Sequence, residues 1–300
     1  MGYCKKTTAG NTVEILTMSN KPLAPPVQKI DIDHYCNTNT GEILEYLHTK
    51  SRAEGKNELR KTFKRIRDTI NANCTDVSKL HWITLTYAEN MTDTERLYHD
   101  YSDFWKRFKR YCSKCGYPAP EYITVIEPQA RGAWHCHCLF IWAIDRPYIE
   151  NSTFADIWGN GFVKIKGVKD CDNIGAYLSA YLGDVPLEDG QAAPVGCEVK
   201  EVNGKRIIKG GRLHMYPTGV NIIRCSRGVK KPLQELVAPE AAHIEKIKSG
   251  CQTFRSVLKL ESENSNLFIA KDYYNISKPI SQGVALLQHA LDCGIELVEV

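Results

Sequence analysis

At 300 residues, with 43% hydrophobic side chains and a formal charge of +4, the chain has the makeup of a globular protein of one elaborated domain or two small ones. No run approaches eighteen consecutive apolar residues, which argues against a membrane-spanning helix, and MGYCKKTTAGNTVEIL lacks the apolar core and small-residue site of a secretory leader. The 12 cysteines are scattered and accompany no export signal, so they are expected as reduced thiols in a cytoplasmic protein.

In chain order, residues 1–50 read as polar and irregular, with LAPP at 23–26 as a linker or arm. From Arg52 to Asn73 the pattern is helical and basic, with Leu59, Phe63, Ile66 and Ile70 at helical spacing. HWITLTY (81–87) predicts a strand, and Asn90 or Thr92 is expected to cap a helix running through about Tyr111, striped by Leu97, Tyr101, Phe104 and Phe108. YITVIE (122–127) and AWHCHCLFIWA (133–143) predict two strands joined by a turn at PQARG. A short helix over 149–157, a strand at GFVKIKGV (161–168) and a helix over CDNIGAYLSAYLGD (171–184) follow. Residues 196–230 predict a hairpin turning at VNGK and further strand-like segments. The last seventy residues are expected to be mostly helical. This order gives an α+β fold, a central mostly antiparallel sheet flanked by helices, with added helical N- and C-terminal segments. The boundaries expected are 1–75 for a basic arm and helix, 76–232 for the main domain and 233–300 for a C-terminal segment.

The small net charge conceals an uneven distribution. Residues 51–73 hold seven Lys/Arg against three acids, 102–114 hold five against one, and 205–231 hold eight with none. Such runs can be solvated faces, but three of them, with aromatics interleaved in FWKRFKRY (104–111), point to a polyanion and specifically to nucleic acid.

The stretch EPQARGAWHCHCLF (127–140) concentrates the chemistry. A period of two puts His135 and His137 side by side on one face of a strand, with Cys136 and Cys138 on the other. If the strands before and after PQARG pair, Glu127 comes alongside them. Two imidazoles and a carboxylate then form a mixed donor set suited to a divalent ion with open positions. The competing reading is plain core packing. Cys112 and Cys115 (CSKC) are a weaker zinc candidate for want of a second pair. In NIGAYLSAYLGD (173–184), Tyr177 and Tyr181 lie four apart and would emerge from one helix face. The same residues, with Ile174, Leu178 and Leu182, also fit a core stripe. Gly175, Ala176, Ser179, Ala180 and Gly183 form a small-residue face able to sit close against a sheet.

Together, the H-x-H strand, the upstream carboxylate, the preceding WITLTY strand and the later Y-x-x-x-Y helix resemble the HUH endonucleases. The resemblance is closest to rolling-circle replication initiators of small plasmids and filamentous phages. It covers about residues 80–184, with a possible extension through YPTGVNIIRCSRGVKKP (216–232). It implies an HUH/RRM-like nuclease fold in which Glu127, His135 and His137 hold Mg²⁺ or Mn²⁺ and Tyr177 or Tyr181 attacks a phosphodiester. The products implied are a 5′-phosphotyrosine and a free 3′-hydroxyl. Implied partners are single-stranded origin DNA, a host helicase and a host DNA polymerase; no G-x-x-x-x-G-K-[ST] loop is present. The lysine that commonly follows either family tyrosine by three residues is replaced by Ala180 and Asp184, so Lys164 or Lys166 is expected to supply that contact. Further DNA contacts are expected from Lys106, Arg107, Lys109, Arg110, Arg131, Arg224, Arg227, Lys230 and Lys231. A transposase or relaxase with the same chemistry, and a non-catalytic DNA-binding regulator, are the alternatives.

Overall fold

The computed structural model describes residues 2–20, 26–48, 56–129, 131–168, 174–175, 185–186, 199–202, 205–208, 215–262 and 265–277. Five strands come first: β1 (Tyr3–Ala9), β2 (Thr12–Met18), β3 (Val27–Lys29), β4 (His34–Asn37) and β5 (Ile43–Glu45). Helix α1 (Lys56–Asn73), strand β6 (Leu80–Thr86) and helix α2 (Thr94–Lys114) follow. Next come β7 (Glu121–Pro128), β8 (Trp134–Ile141), α3 (Asn151–Trp158) and β9 (Val163–Lys166). The remaining elements are β10 (Val185–Pro186), β11 (Val199–Val202), β12 (Lys205–Ile208), β13 (Ile223–Cys225), β14 (Leu233–Val237), α4 (Ala242–Lys248), β15 (Cys251–Ser262) and β16 (Ser265–Asn275).

The chain divides into two compact units, Thr49–Lys230 and Met1–His48 with Lys231–Val300. The first is built on a five-stranded antiparallel sheet ordered β13-β7-β8-β6-β9. Strand β8 is central because it is apolar enough to be covered on both faces. On one face Cys136, Cys138 and Phe140 pack beneath α2, whose Phe104 and Phe108 stack on Phe140 at 6.3 and 4.9 Å between centroids. The stripe Leu97, Tyr101, Phe104, Phe108 and Cys112 is buried as its spacing predicts. The cap of helix α2 is neither Asn90 nor Thr92 but Asp93, which accepts from the Glu95 and Arg96 amides at 2.8 and 3.2 Å. Its short carboxylate reaches both free donors of the first turn. The extension around residue 216 does join the sheet, since β13 pairs with β7 and the buried Tyr216 hydroxyl donates to the Ile126 carbonyl at 3.0 Å.

The second unit corrects two expectations. The described N-terminal residues are strands rather than irregular chain, and the described C-terminal residues are mainly strands rather than helix, α4 being a single short helix. In the sheet ordered β14-β1-β2-β16-β15, β2 pairs with its chain neighbour β1 and with β16 from the far end of the sequence. In β15, Phe254, Val257 and Leu258 stand at helix-like spacing although all are exposed strand residues. Buried Asp272 is held by Lys246 at 2.7 Å and Arg255 at 3.3 Å. Helix α1 falls within the unit Thr49–Lys230.

Candidate active site

Antiparallel register places the key side chains in rows across one face of the main sheet. Glu127 of β7 lies opposite His135 of β8, and His135 lies opposite Thr86 of β6. One row along, His137 lies between Val125 and Thr84, and Thr84 faces Lys164 of β9. The next row runs Leu139, Trp82, Lys166. The β7–β8 pairing thus brings Glu127 to both histidines, while Cys136 and Cys138 point to the opposite, α2-covered face. The turn between them is fixed by Gln129 N donating to Ala133 O at 2.7 Å and Gly132 N to Gln129 O at 2.9 Å.

His137 is clamped from both sides. Its Nε2 is hydrogen-bonded to Oε2 of Glu127, itself only 4% exposed, and its Nδ1 is 3.2 Å from the Thr84 hydroxyl. Burial, with the charge of Lys166, pushes its pKa down to about 4. The ring is therefore neutral near pH 7 and satisfies both neighbours as the tautomer that donates from Nε2 to Glu127 and accepts at Nδ1 from Thr84. With the ring neutral, the contact is a hydrogen bond rather than an ion pair. His135 is also held down to about 4, by burial, then by His137 and Arg131. Its Nε2 is buried with no hydrogen-bond partner. The two rings lie 6.4 Å apart, centroid to centroid.

An orphaned, neutral imidazole nitrogen beside a second neutral imidazole and a buried carboxylate fits the donor set of a divalent cation. Among the described residues no three such groups already converge as a metal cage. Glu127 and His137 engage each other. Cys112 is buried and Cys115 exposed at the end of α2, and they join no metal-ligand group among the described residues.

The basic residues sort by face. Lys164 is exposed and Lys166 half-buried on the histidine face, with Lys166 Nζ 5.3 Å from the Trp82 ring centroid. Arg131 is exposed at the β7–β8 turn, close enough to bear on His135. Lys106, Lys109 and Arg110 are exposed on α2, the helix that covers the opposite face; Lys106 is paired with Asp103 at 2.9 Å. Arg107 donates to the carbonyls of Ile157 and Trp158 at 2.8 and 3.0 Å, capping the end of α3. Arg224 also points to the α2 face, its guanidinium 3.6 Å from the Tyr98 ring centroid. Arg227, Lys230 and Lys231 are exposed, and Asn73 of α1 exchanges hydrogen bonds with the Lys230 backbone at 2.9 and 2.8 Å.

Tyr177 and Tyr181 lie outside the described residues. The described start of their segment is helical at Ile174 and Gly175, and Ile174 is buried in the apolar cluster. The Gly175 amide donates to Asn71 Oδ1 at 2.6 Å, and a Cβ there would fall 2.2 Å from the Arg67 carbonyl oxygen. At Gly175 the close neighbour is therefore helix α1 rather than the sheet expected for the small-residue face. Thr84, the second partner of His137, was missed by sequence reading, because strand register was needed to find it.

Residues 80–185 match the model of the family described as Replication-associated protein ORF2/G2P. The matched interval contains β6 to β9, Glu127, both histidines and both tyrosines, and the similarity supports a role in DNA replication. No curated protein and no solved structure matches the chain. Among the described residues, no helix is long and apolar enough to cross a membrane.

Proposed function

We propose that the unit carrying the histidine face is a DNA strand transferase that initiates rolling-circle replication. The observation that carries this reading is the polar trio of buried Glu127 on β7 and half-buried His135 and His137 on the otherwise apolar central strand, inside the interval that matches a replication-associated family. A divalent cation, Mg²⁺ or Mn²⁺, held by that trio would supply positive charge against the scissile phosphate. The chain's own residues do the rest. Thr84 orients the His137 ring through Nδ1, as an outer partner of a ligating histidine does, and Nε2, bonded to Glu127 in this structure, is the nitrogen that would turn to the cation. The phenolic oxygen of Tyr177 or Tyr181 bonds to phosphorus, the bond to the 3′ oxygen breaks, and the phenolic proton is passed on so that the 3′ end departs as a free hydroxyl. The 5′ phosphate stays on tyrosine, which lets the hydroxyl reverse the step and rejoin strands. Single-stranded origin DNA is the substrate, a host helicase opens it, and a host polymerase extends the 3′ end. A transposase or relaxase would share the chemistry and differ in the DNA joined.

The test incubates the full chain with single-stranded oligonucleotides tiled across the replicon that encodes it, with Mn²⁺ or Mg²⁺. Denaturant-resistant adducts are expected, absent with EDTA and absent in the Tyr177→Phe, Tyr181→Phe double variant, with peptide mass spectrometry locating the linkage. Neither nicks nor adducts under any metal would instead identify a non-catalytic DNA-binding regulator.

A further inference from the structure

Strand β9 carries a second feature that no motif announced. Phe162, just before the strand, is 61% exposed, a large aromatic left in water beside a buried core. The Thr86 amide donates to the Phe162 carbonyl at 3.1 Å and the Ala88 amide to Asn160 at 2.9 Å, so the β6–β9 register continues through Phe162, opposite Thr86. Side chains directly opposite share a face. Phe162 therefore stands in one row with Thr86, His135 and Glu127, and Lys164 in the next with Thr84 and His137. The alternate residues agree: Val163 is buried and Ile165 packs against the core, on the opposite face. Phe162, Lys164 and Lys166 thus line the histidine side, two strand spacings or roughly 10 Å from the imidazoles.

The lead-in to this strand is sterically fixed. A Cβ on Gly161 would fall 2.3 Å from the Thr86 carbonyl oxygen and 2.6 Å from the Ala88 nitrogen, so glycine alone lets the chain come this close and present Phe162.

We infer that β9 is the rail for the single-stranded substrate: Phe162 stacks on an unpaired base while Lys164 and Lys166 hold the adjoining phosphates. An aromatic followed by alternating cations on one strand face is the arrangement that grips single-stranded nucleic acid, because every base has a π-face and every nucleotide a charge. A duplex keeps its bases stacked on one another and offers none to the ring. The inference rests on the reading of this face as the DNA-processing site.

The experiment measures binding of a fluorescent oligothymidine, and of a duplex control, to the full chain in EDTA across a salt series. Phe162→Ala is expected to weaken oligothymidine binding about 5- to 100-fold with an unchanged salt slope and no effect on the duplex. Phe162→Trp is expected to restore binding. Lys164→Ala and Lys166→Ala should each reduce the slope of log K against log salt by about 0.7, the single-strand value per phosphate. Wild-type affinity in both Phe162→Ala and Phe162→Leu, an equal loss on the duplex, or no oligothymidine binding by the wild type would each overturn the rail. Since the assay needs no cleavage, a Phe162-dependent binder that never forms adducts refutes the transferase and leaves the rail. Adducts formed by a chain indifferent to Phe162 do the reverse.

Discussion

The two faces of β8 carry opposite chemistry, fully buried toward α2 and half-buried at the histidines. Toward α2 lie Cys136, Cys138 and Phe140, each at 1% exposure or less, under the stacked rings of Phe104 and Phe108. On the other face His135 and His137 line up with Glu127 at 4% and Thr84 at 8% exposure. Burial stabilises the first face through the hydrophobic effect; on the second, desolvation of polar groups opposes folding unless each atom finds a partner. Thr84, His137 and Glu127 satisfy one another, while His135 Nε2 stays unpartnered. A fold gains nothing from such an atom, so its retention points to function.

The largest expected effect tests the apolar side. Phe140→Ala removes a fully buried ring 4.9 Å from Phe108 and should cost about 3–5 kcal/mol in urea unfolding. A loss below about 1 kcal/mol would mean that this face is not the mechanical core and would break the contrast.

A smaller effect comes from His81, an imidazole on the α2 side of the sheet. His81 lies opposite Phe140, is 6% exposed, accepts from Trp142 Nε1 at 3.1 Å, and is pushed down to about 4 by burial and then by the Arg146 charge. Its folded pKa is below its unfolded value of about 6.5, so between these values the unfolded chain binds the extra proton. Stability should therefore be constant from this group above about pH 6.5, fall as pH drops toward 4, and level off below. The full drop is on the order of 3 kcal/mol. Urea midpoints across that range should fall less steeply for His81→Asn than for the wild type. Parallel curves would remove His81 from the account.

The contrast also explains what could be read from sequence. Strand β8, strand β7 and the α2 stripe were legible because each is set by local periodicity: two for the histidines, near four for Leu97 to Phe108. The hairpin of β11 and β12 was legible from its turn residues. What failed lay in the second unit, where β2 has one partner nearby, β1, and another, β16, from the far end of the chain that neither segment announces. Glu127 could be guessed because a short turn ties its strand to β8, whereas Thr84 joins the site only through register with β8, some fifty residues on, and Phe162 only through register with β6, more than seventy residues back.

The smallest effect on stability is the sharpest test of the polar face. His135→Leu deletes the orphaned nitrogen and replaces the ring with an apolar side chain in the row of Glu127 and Thr86. Removing an unsatisfied buried polar atom normally stabilises, and here a gain of about 1 kcal/mol is expected in urea unfolding without metal. The same variant lacks one of the three proposed ligands, so its adduct formation should fall to background at any Mn²⁺ concentration that supports the wild type. A chain at once firmer and inactive would show that His135 is kept against the interest of folding. A loss of 3 kcal/mol or more would instead place His135 in the structural core and return the histidine pair to simple packing.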